Sequence, residues 1–276
     1  MFIVFDIGGT NTRVAASKDG TTLGEITTYS TPQKYSEGIE RLVTTALTLA
    51  NNTPIKSIAG GLPGPLNKDH SQLLKAPNIK DWNNKSLKTD LEQRLNTTAH
   101  LENDTAMWGL GEAFAGGGKG QPIVVYITVS TGVGGCRIVN GAIDASSFGF
   151  EIGHQIIRPD GPTCGCGGKG HLEAYIGGNS IEKRYGKSPK EITDEAIWEE
   201  VAKHLAIGLL NTCVFWSPNS IILGGSMMKS ISLDRVRFHM QVQNHIIETL
   251  PPVQISTLQD TGGLLGSLSV ASRGAA

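Results

Sequence analysis

With 276 residues, the chain is longer than the roughly 100–200 residues usual for one hydrophobic core, so two lobes are expected, and 39% hydrophobic residues suffice to pack both. Its 24 Lys and Arg against 25 Asp and Glu leave a formal net charge of -1, which gives no electrostatic ground for nucleic acid or an anionic membrane as a partner. No apolar run approaches about 20 residues, MFIVF lacks the basic lead of a signal peptide, and four cysteines arranged as one C-x-C pair plus Cys136 and Cys213 are not a disulfide framework, so a soluble, cytoplasmic protein is expected.

The chain opens with FIVFDIGGTNTRVAA, which reads as an apolar strand, a Gly-Gly-Thr turn and a second strand. Asp6 stands at the end of the first strand, where a carboxylate suits a hydrated Mg²⁺. Gly8 and Gly9 permit close backbone approach, and Thr10, Asn11 and Thr12 carry donors for phosphate oxygens. An ordinary hairpin with a Gly-rich turn explains the same residues. No helix follows the turn directly, which argues against a P-loop or a Rossmann unit.

From Ser36 to Asn51, Ile39, Leu42, Val43, Ala46, Leu47 and Ala50 recur at the spacing of one helical face. SIAGGLPGPLN is expected as a strand ending in a rigid loop through Gly61, Pro63, Gly64 and Pro65. KAPNIKDWNN reads as a polar loop in which Asn78, after Pro77, suits either a ligand or a turn. Leu87, Leu91 and Leu95 mark a short helix. HLENDTAMWGLGEAFAGG then predicts a strand through Leu101 and a helix from about Thr105 to Ala115, with Asn103 and Asp104 between. Plain N-capping accounts for that pair; so does a carboxylate poised at a strand end as a general base.

GGGKGQP reads as a hinge between lobes, after which IVVYITVSTGVGGCRIVNG repeats the logic of the N-terminus. An apolar strand from Ile123 to Val129 enters the turn Ser130-Thr131-Gly132-Val133-Gly134-Gly135, and a second strand leaves it. One such unit at the head of each half suggests internal duplication, with the two turns expected across a cleft from each other and sharing one polyphosphate.

The stretch EIGHQIIRPDGPTCGCGGKGHLE, Glu151 to Glu173, is the densest in chemistry. His154, Cys164, Cys166 and His171 supply two imidazoles and two thiols within eighteen residues, a donor set for tetrahedral zinc. The glycines between them let the backbone wrap round one ion. With four protein ligands the zinc would be structural, holding Glu151, His154 and Glu173 in place. A flexible Gly loop with incidental cysteines is the alternative.

Beyond it, KSPKEITDEAIWEEVAKHLAIGLLNTCVFWSPN predicts a long helix ended by Pro218, with Ile197, Val201, Leu205 and Leu209 in the core and His204 as packing or surface rather than a ligand. SIILGGSMM reads as a strand with Gly224 and Gly225 at its end, a turn against which a flat base could lie. Asp234 to Leu250 is expected to be helical, with His239 and His245 exposed, and TGGLLGSLSVAS closes the chain as an apolar helix.

DIGGT, GLPGP, END, STGVGG, E-x-G-H, C-x-C-G-x-x-G-H-x-E and LGG, in this order over essentially the whole chain, resemble the ROK family of sugar kinases and sugar-responsive repressors. The zinc motif is particular to that family, whereas DIGGT and STGVGG are shared with the wider actin/hexokinase-like superfamily. The resemblance implies an α/β, two-lobed actin-like ATPase (hexokinase/sugar kinase) fold, with duplicated α/β domains around mixed five-stranded sheets, closing on ATP and sugar. It implies an N-terminal lobe of residues 1–117 joined by a C-terminal helix 262–276, a larger lobe of residues 118–261 with the zinc loop, and a homodimer.

The same resemblance implies residue roles. Asp104 matches the base that takes a proton from the sugar hydroxyl, and Asn103, Glu151, His154 and Glu173 match positions that bind the other hydroxyls. His154 would serve twice, one ring nitrogen on zinc and the other facing the sugar. Asp6 matches the Mg²⁺-associated carboxylate, Gly8, Gly9, Thr10, Asn11, Thr131 and Gly132 the phosphate turns, and Gly224 and Gly225 the adenosine site. The implied reaction is ATP-dependent phosphorylation of a neutral hexose, glucose to glucose 6-phosphate first among them. Relatives with nearly the same residues handle N-acetylglucosamine, N-acetylmannosamine, fructose and allose.

Two departures stand out. His171 occupies a place where the family usually has a third cysteine, and Cys136 one where glycine is common, where a buried packing variant is expected. A sugar-sensing regulator is the non-enzymatic reading. Its repressor members carry a DNA-binding helix-turn-helix ahead of the first Gly-rich turn, which here begins at residue 6, so catalysis is expected instead.

Overall fold

The apolar run at the start forms strand β1 (Phe2–Ile7), buried along its whole length because helices cover both faces of it. The turn after it returns the chain as β2 (Asn11–Ser17), antiparallel to β1, and β3 (Ile26–Ser30) extends the sheet on that side. Helix α1 (Tyr35–Ala50) leads to β4 (Ser57–Leu62), parallel to β1, and α2 (Leu87–Leu95) leads to β5 (Thr98–Asn103), parallel to β4. The sheet order is β3-β2-β1-β4-β5, and α3 (Asp104–Ala115) follows β5. Alternation along β1 sends Ile3, Phe5 and Ile7 to a core with Ile39, Leu42, Val43, Leu87 and Leu91 of α1 and α2. Both helices end on an asparagine in the left-handed region, Asn51 at φ 46° and Asn96 at φ 48°. Leu47, expected on the apolar face of α1, is instead exposed, because it lies about 80° round the helix from Ile39, beyond the buried stripe.

The structure is a computed structural model describing every residue except Pro77, Phe148, Ala275 and Ala276. The chain folds as two units, Met1–Gly116 joined by Leu258–Ala276, and Gly117–Thr257.

In the second unit β6 (Ile123–Val129) and β7 (Val133–Val139) are antiparallel, and the short β8 (Ala142–Ile143) extends them. A single-turn 3₁₀ segment at Ile152–His154 and helices α4 (Leu172–Ile176), α5 (Gly178–Tyr185) and α6 (Glu195–Trp216) follow. Strand β9 (Ser220–Gly224) runs parallel to β6, then α7 (Leu233–Gln243) leads to β10 (Val253–Ile255), parallel to β9. The order β10-β9-β6-β7-β8 repeats the first sheet strand for strand, with two successive antiparallel pairings on one side of the leading strand and two successive parallel pairings on the other. Ile197 only flanks this core, whereas Val201, Leu205 and Leu209 of α6 lie within it. Helix α8 (Gly262–Arg273) returns to the first unit, where Leu264, Leu268 and Ala271 meet Phe2, Val4, Ala15 and Ala59 on the other face of β1. The last two residues of the expected C-terminal helix lie outside those described. No helix among the described residues is long and apolar enough to cross a membrane.

Two expectations for α7 are corrected. It ends at Gln243 rather than near Leu250, because the Asn244 side chain accepts the N–H groups of Ile246 (3.3 Å) and Ile247 (3.0 Å) and donates to Ile247 O (2.7 Å), an alternative to helical hydrogen bonds. His239 is not exposed: it is packed against α6 with Nε2 2.6 Å from Glu199 Oε1. His204 is buried and stacks on Tyr175 at 4.1 Å, and Cys136 is buried as expected.

Candidate active site

In the first unit the sheet register gathers charge at the strand ends. Asp6 pairs across the hairpin with Arg13, whose guanidinium lies 3.8 Å from Asp6 Oδ2 and 3.0 Å from Asp260 Oδ1 at the entry to α8. Burial, and next the neighbouring Asp104, push the Asp6 carboxyl up to about 7, with Arg13 opposing the rise. The turn beside it is closed by Gly8 N donating to Asn11 O (2.8 Å) and braced by the end of β3, since Thr31 N donates to Thr10 O and Thr31 Oγ1 to Gly8 O, both at 2.8 Å. Thr10 and Asn11 are exposed, while Thr12 is buried against Thr31. Asn78 covers Gly9 so closely that a β-carbon there would stand 2.6 Å from Asn78 Cβ.

The two explanations of the Asn-Asp pair divide between the two residues. Asn103 is the N-cap, its Oδ1 accepting from Ala106 N (3.2 Å) while its Nδ2 donates to Gly64 O (3.2 Å). Asp104 is the first helical residue and its carboxylate is not required for the cap. One of its oxygens accepts Thr105 N–H (2.7 Å), yet burial outweighs that bond and raises the carboxyl to about 6.

In the second unit the Ser130–Gly132 turn is closed by Ser130 N to Gly132 O (2.8 Å). The carbonyls of Ser130 and Thr131 accept N–H groups from Gly178 and Asn179 at the start of α5, which fixes the turn from below while Thr131 stays exposed. Glu173 on α4 touches both the turn and the cysteine loop. Its Oε2 accepts Val133 N–H (2.9 Å) and its Oε1 lies 3.5 Å from Cys164 Sγ. At the end of β9, Gly225 has φ 93°, and a β-carbon on it would meet Val129 O at 2.2 Å, so its glycine is dictated by contact with β6. Gly224 is buried beside the Tyr126 hydroxyl.

His154, Cys164, Cys166 and His171 converge, their ligand atoms all lying within 4.8 Å of one another. A tetrahedral zinc with bonds of about 2.0–2.3 Å holds its ligands roughly 3.3–3.8 Å apart. His154 Nδ1 is 3.8 Å from Cys164 Sγ, and His171 Nδ1 is 3.3 Å from Cys166 Sγ, so the donor types suit the ion and these two pairs stand at tetrahedral spacing within a set that spans up to 4.8 Å. Burial lifts the Cys164 thiol to about 11, a cost that a bound cation would reverse. His154 turns Nε2 the other way, 3.8 Å from the exposed Glu151. The frame of the loop is tied independently: Leu172 N donates to Gln155 O (2.9 Å), Ile157 N to Gly170 O (2.9 Å), and Asn211 Nδ2 of α6 to Gln155 Oε1 (2.8 Å).

Arg13, Asp260 and Gln155 were not singled out from the sequence. The signal for Arg13 was present, because a hairpin centred on Gly8–Asn11 puts residues 6 and 13 opposite each other on one face. Nothing local marks Asp260, which comes from the far end of the chain.

The sequence matches the profile of the ROK family over residues 2–273. It is 27% identical to a glucokinase of Thermotoga maritima over 96% of this chain and 95% of that protein. Among solved structures, a ROK hexokinase from Thermus thermophilus superposes with a TM-score of 0.86 at 26% identity, covering 99% of this chain and 98% of that one. A ROK family glucokinase from Streptomyces griseus, in complex with glucose and AMPPNP, gives 0.78 at 25% identity with 99% of each chain covered. Motif order, the doubled sheet and these matches agree: the chain belongs to the ROK family.

Proposed function

We propose that the protein is an ATP-dependent hexose kinase that phosphorylates glucose at its 6-hydroxyl. The observation that carries the reading is Asp104: a carboxylate at a strand end, spared from capping by Asn103 and raised to about 6, where it is ionised at neutral pH yet basic enough to take a proton. As the hydroxyl oxygen attacks the γ-phosphorus, the bond to the bridging oxygen of ADP breaks and Asp104 receives the hydroxyl proton. Such transfer needs mainly alignment and neutralisation of charge. Asn103, Glu151, His154 and Glu173 are assigned to the remaining hydroxyls; carboxylates and amides suit a neutral polyol, whereas an acidic sugar would call for Arg or Lys. Gly8, Gly9, Thr10, Asn11, Thr131 and Gly132 are assigned to the polyphosphate, and Gly224 and Gly225 to the adenosine.

Arg13 faces both Asp6 and Asp260, and Asp104 is a further carboxylate beside Asp6; that surplus of negative charge fits a divalent cation beside Asp6. Mg²⁺ there would neutralise phosphate charge. His154, Cys164, Cys166 and His171 would hold a structural zinc, leaving no position for substrate on the metal, and thiolate ligands suit a cytoplasmic, reducing compartment.

The test of the substrate is a coupled ADP-release assay with MgATP across hexoses and acetamido-hexoses, with glucose expected to show the highest kcat/KM. Fructose or N-acetylmannosamine outrunning glucose would reject that choice. The pH dependence supplies a second expectation, with opposite signs for activity and stability. Turnover rises as pH increases through about 6, where Asp104 loses its proton. Stability of the ligand-free protein falls over the same range. Both Asp6 and Asp104 bind protons more tightly folded than unfolded, so the fold is favoured below their folded values and loses that advantage between about pH 4 and 7. Thermal melts and kcat measured from pH 5 to 8 check both limbs; parallel trends would contradict the assignment.

A further inference from the structure

The segment after β4 makes a stiff excursion that returns to the end of β5. Leu66 and Leu73 pair as an antiparallel bridge, and Asn67 N donates to Gln72 O (3.0 Å). At the tip, Asn67 Oδ1 accepts the N–H groups of Ser71 (2.8 Å) and Gln72 (2.9 Å), while His70 N donates to Asn67 O (3.0 Å). His70 is held at φ 54°, a left-handed conformation uncommon for a residue with a β-carbon. Its imidazole Nδ1 lies 3.1 Å from Glu102 Oε2 and 3.3 Å from Leu101 O. The other Glu102 oxygen accepts Asn103 N–H (2.8 Å), and Asn103 donates to Gly64 O at the base of the same excursion (3.2 Å). Base and tip are therefore both fastened to the Asn103–Asp104 strand end, the tip through one imidazole–carboxylate pair.

We propose that His70 is a positioning residue which, acting through Glu102, holds the excursion and the Asn103–Asp104 strand end in the geometry that binds sugar, and that its protonation tightens that hold. The inference rests on the hexose-kinase reading above. The charged groups facing the ring are Glu102 on β5 and Asp69 on the excursion; Lys88 of α2 faces Asp69, and its N–H donates to Ser71 O (3.3 Å). The hydrogen bond to Glu102 raises the histidine above its ordinary value. A raised histidine gives its full contribution below about 6.5, and the contribution is lost as pH rises through the folded value. The neutral ring keeps its Nδ1–H donor and loses only the charge. Because the pair is partly exposed, the effect is about two- to fivefold in affinity.

Calorimetric glucose affinity without nucleotide, from pH 6 to 8.5, tests this on wild type, His70→Asn and His70→Lys. Asparagine tolerates the left-handed backbone and keeps a neutral donor; lysine keeps the charge throughout. Wild type should bind about two- to fivefold more tightly than His70→Asn at pH 6 and converge on it at pH 8.5, while His70→Lys keeps the advantage at both. The sugar KM should move more than kcat. Comparison at each pH cancels Asp6 and Asp104, which titrate in all three proteins. Amide exchange at residues 64–74 needs no sugar, and protection at pH 6 should be lower in His70→Asn than in wild type. Equal affinities and equal protection overturn the role of His70. A wild type that binds and phosphorylates no hexose overturns the kinase reading, and the exchange comparison then decides His70 alone.

Discussion

Asp104→Asn is expected to lower kcat by about 10²–10⁴-fold, the usual contribution of a positioned base, with calorimetric sugar affinity nearly unchanged. The amide has the carboxylate's shape, and its oxygen can still accept Thr105 N–H, held at 2.7 Å by the native side chain. The fold should not suffer, because Asn103 caps α3. The melting temperature above pH 6 should rise slightly, since the variant no longer buries a carboxylate in its disfavoured charged form. The ascending limb of the kcat–pH profile should disappear with it. Near-normal turnover in this variant would remove Asp104 from the role of base.

His171→Ala should strip the proposed zinc. Wild type should hold close to one zinc per chain. Three remaining ligands and a vacant position should weaken the site by more than the roughly 10–100-fold typical of losing a supporting group. His171→Cys should retain the ion, since thiolate and imidazole both suit it. The consequences of loss follow from the contacts of the loop. Cys164 lies against Glu173, which accepts Val133 N–H at the second Gly-rich turn, and Cys164 also lies against His154. Zinc loss should therefore raise the sugar KM and lower the melting temperature together. The hydrogen bonds of Gln155, Ile157 and Leu172 keep the frame of the segment, so the alanine protein should still fold and allow the comparison. Metal analysis and sugar kinetics on the three proteins check this. Full zinc in the alanine protein with unchanged kinetics would place the fourth ligand elsewhere, Glu173 being the next carboxylate to examine.

Much of this protein is set by local sequence. The buried strands β1, β4, β6 and β9 are short apolar runs next to Gly- or Pro-containing turns, a pattern that needs no partner to be read. The Cys–His set is compact along the chain, so its convergence follows from short, Gly-rich connections. The likeness of the two halves was visible in the two strand–turn–strand units, and the two sheet orders repeat it. Other features belong to the tertiary structure alone. Strands β3, β8 and β10 lie toward the sheet edges, are short or polar, and acquire strand geometry from a neighbour that is already paired. The early end of α7 depends on which of two competing sets of hydrogen bonds Asn244 makes, and periodicity does not register that choice. Whether Asn103 or Asp104 capped the helix was undecidable from an Asn-Asp pair, because both side chains can cap; the exact end of β5 decided it. The raised carboxyls of Asp6 and Asp104, the Arg13–Asp260 pair and the reach of His70 to Glu102 likewise arose only on folding. Residue type and spacing determine which chemistry a chain can offer; burial and charge brought together from distant segments determine how strongly each group expresses it.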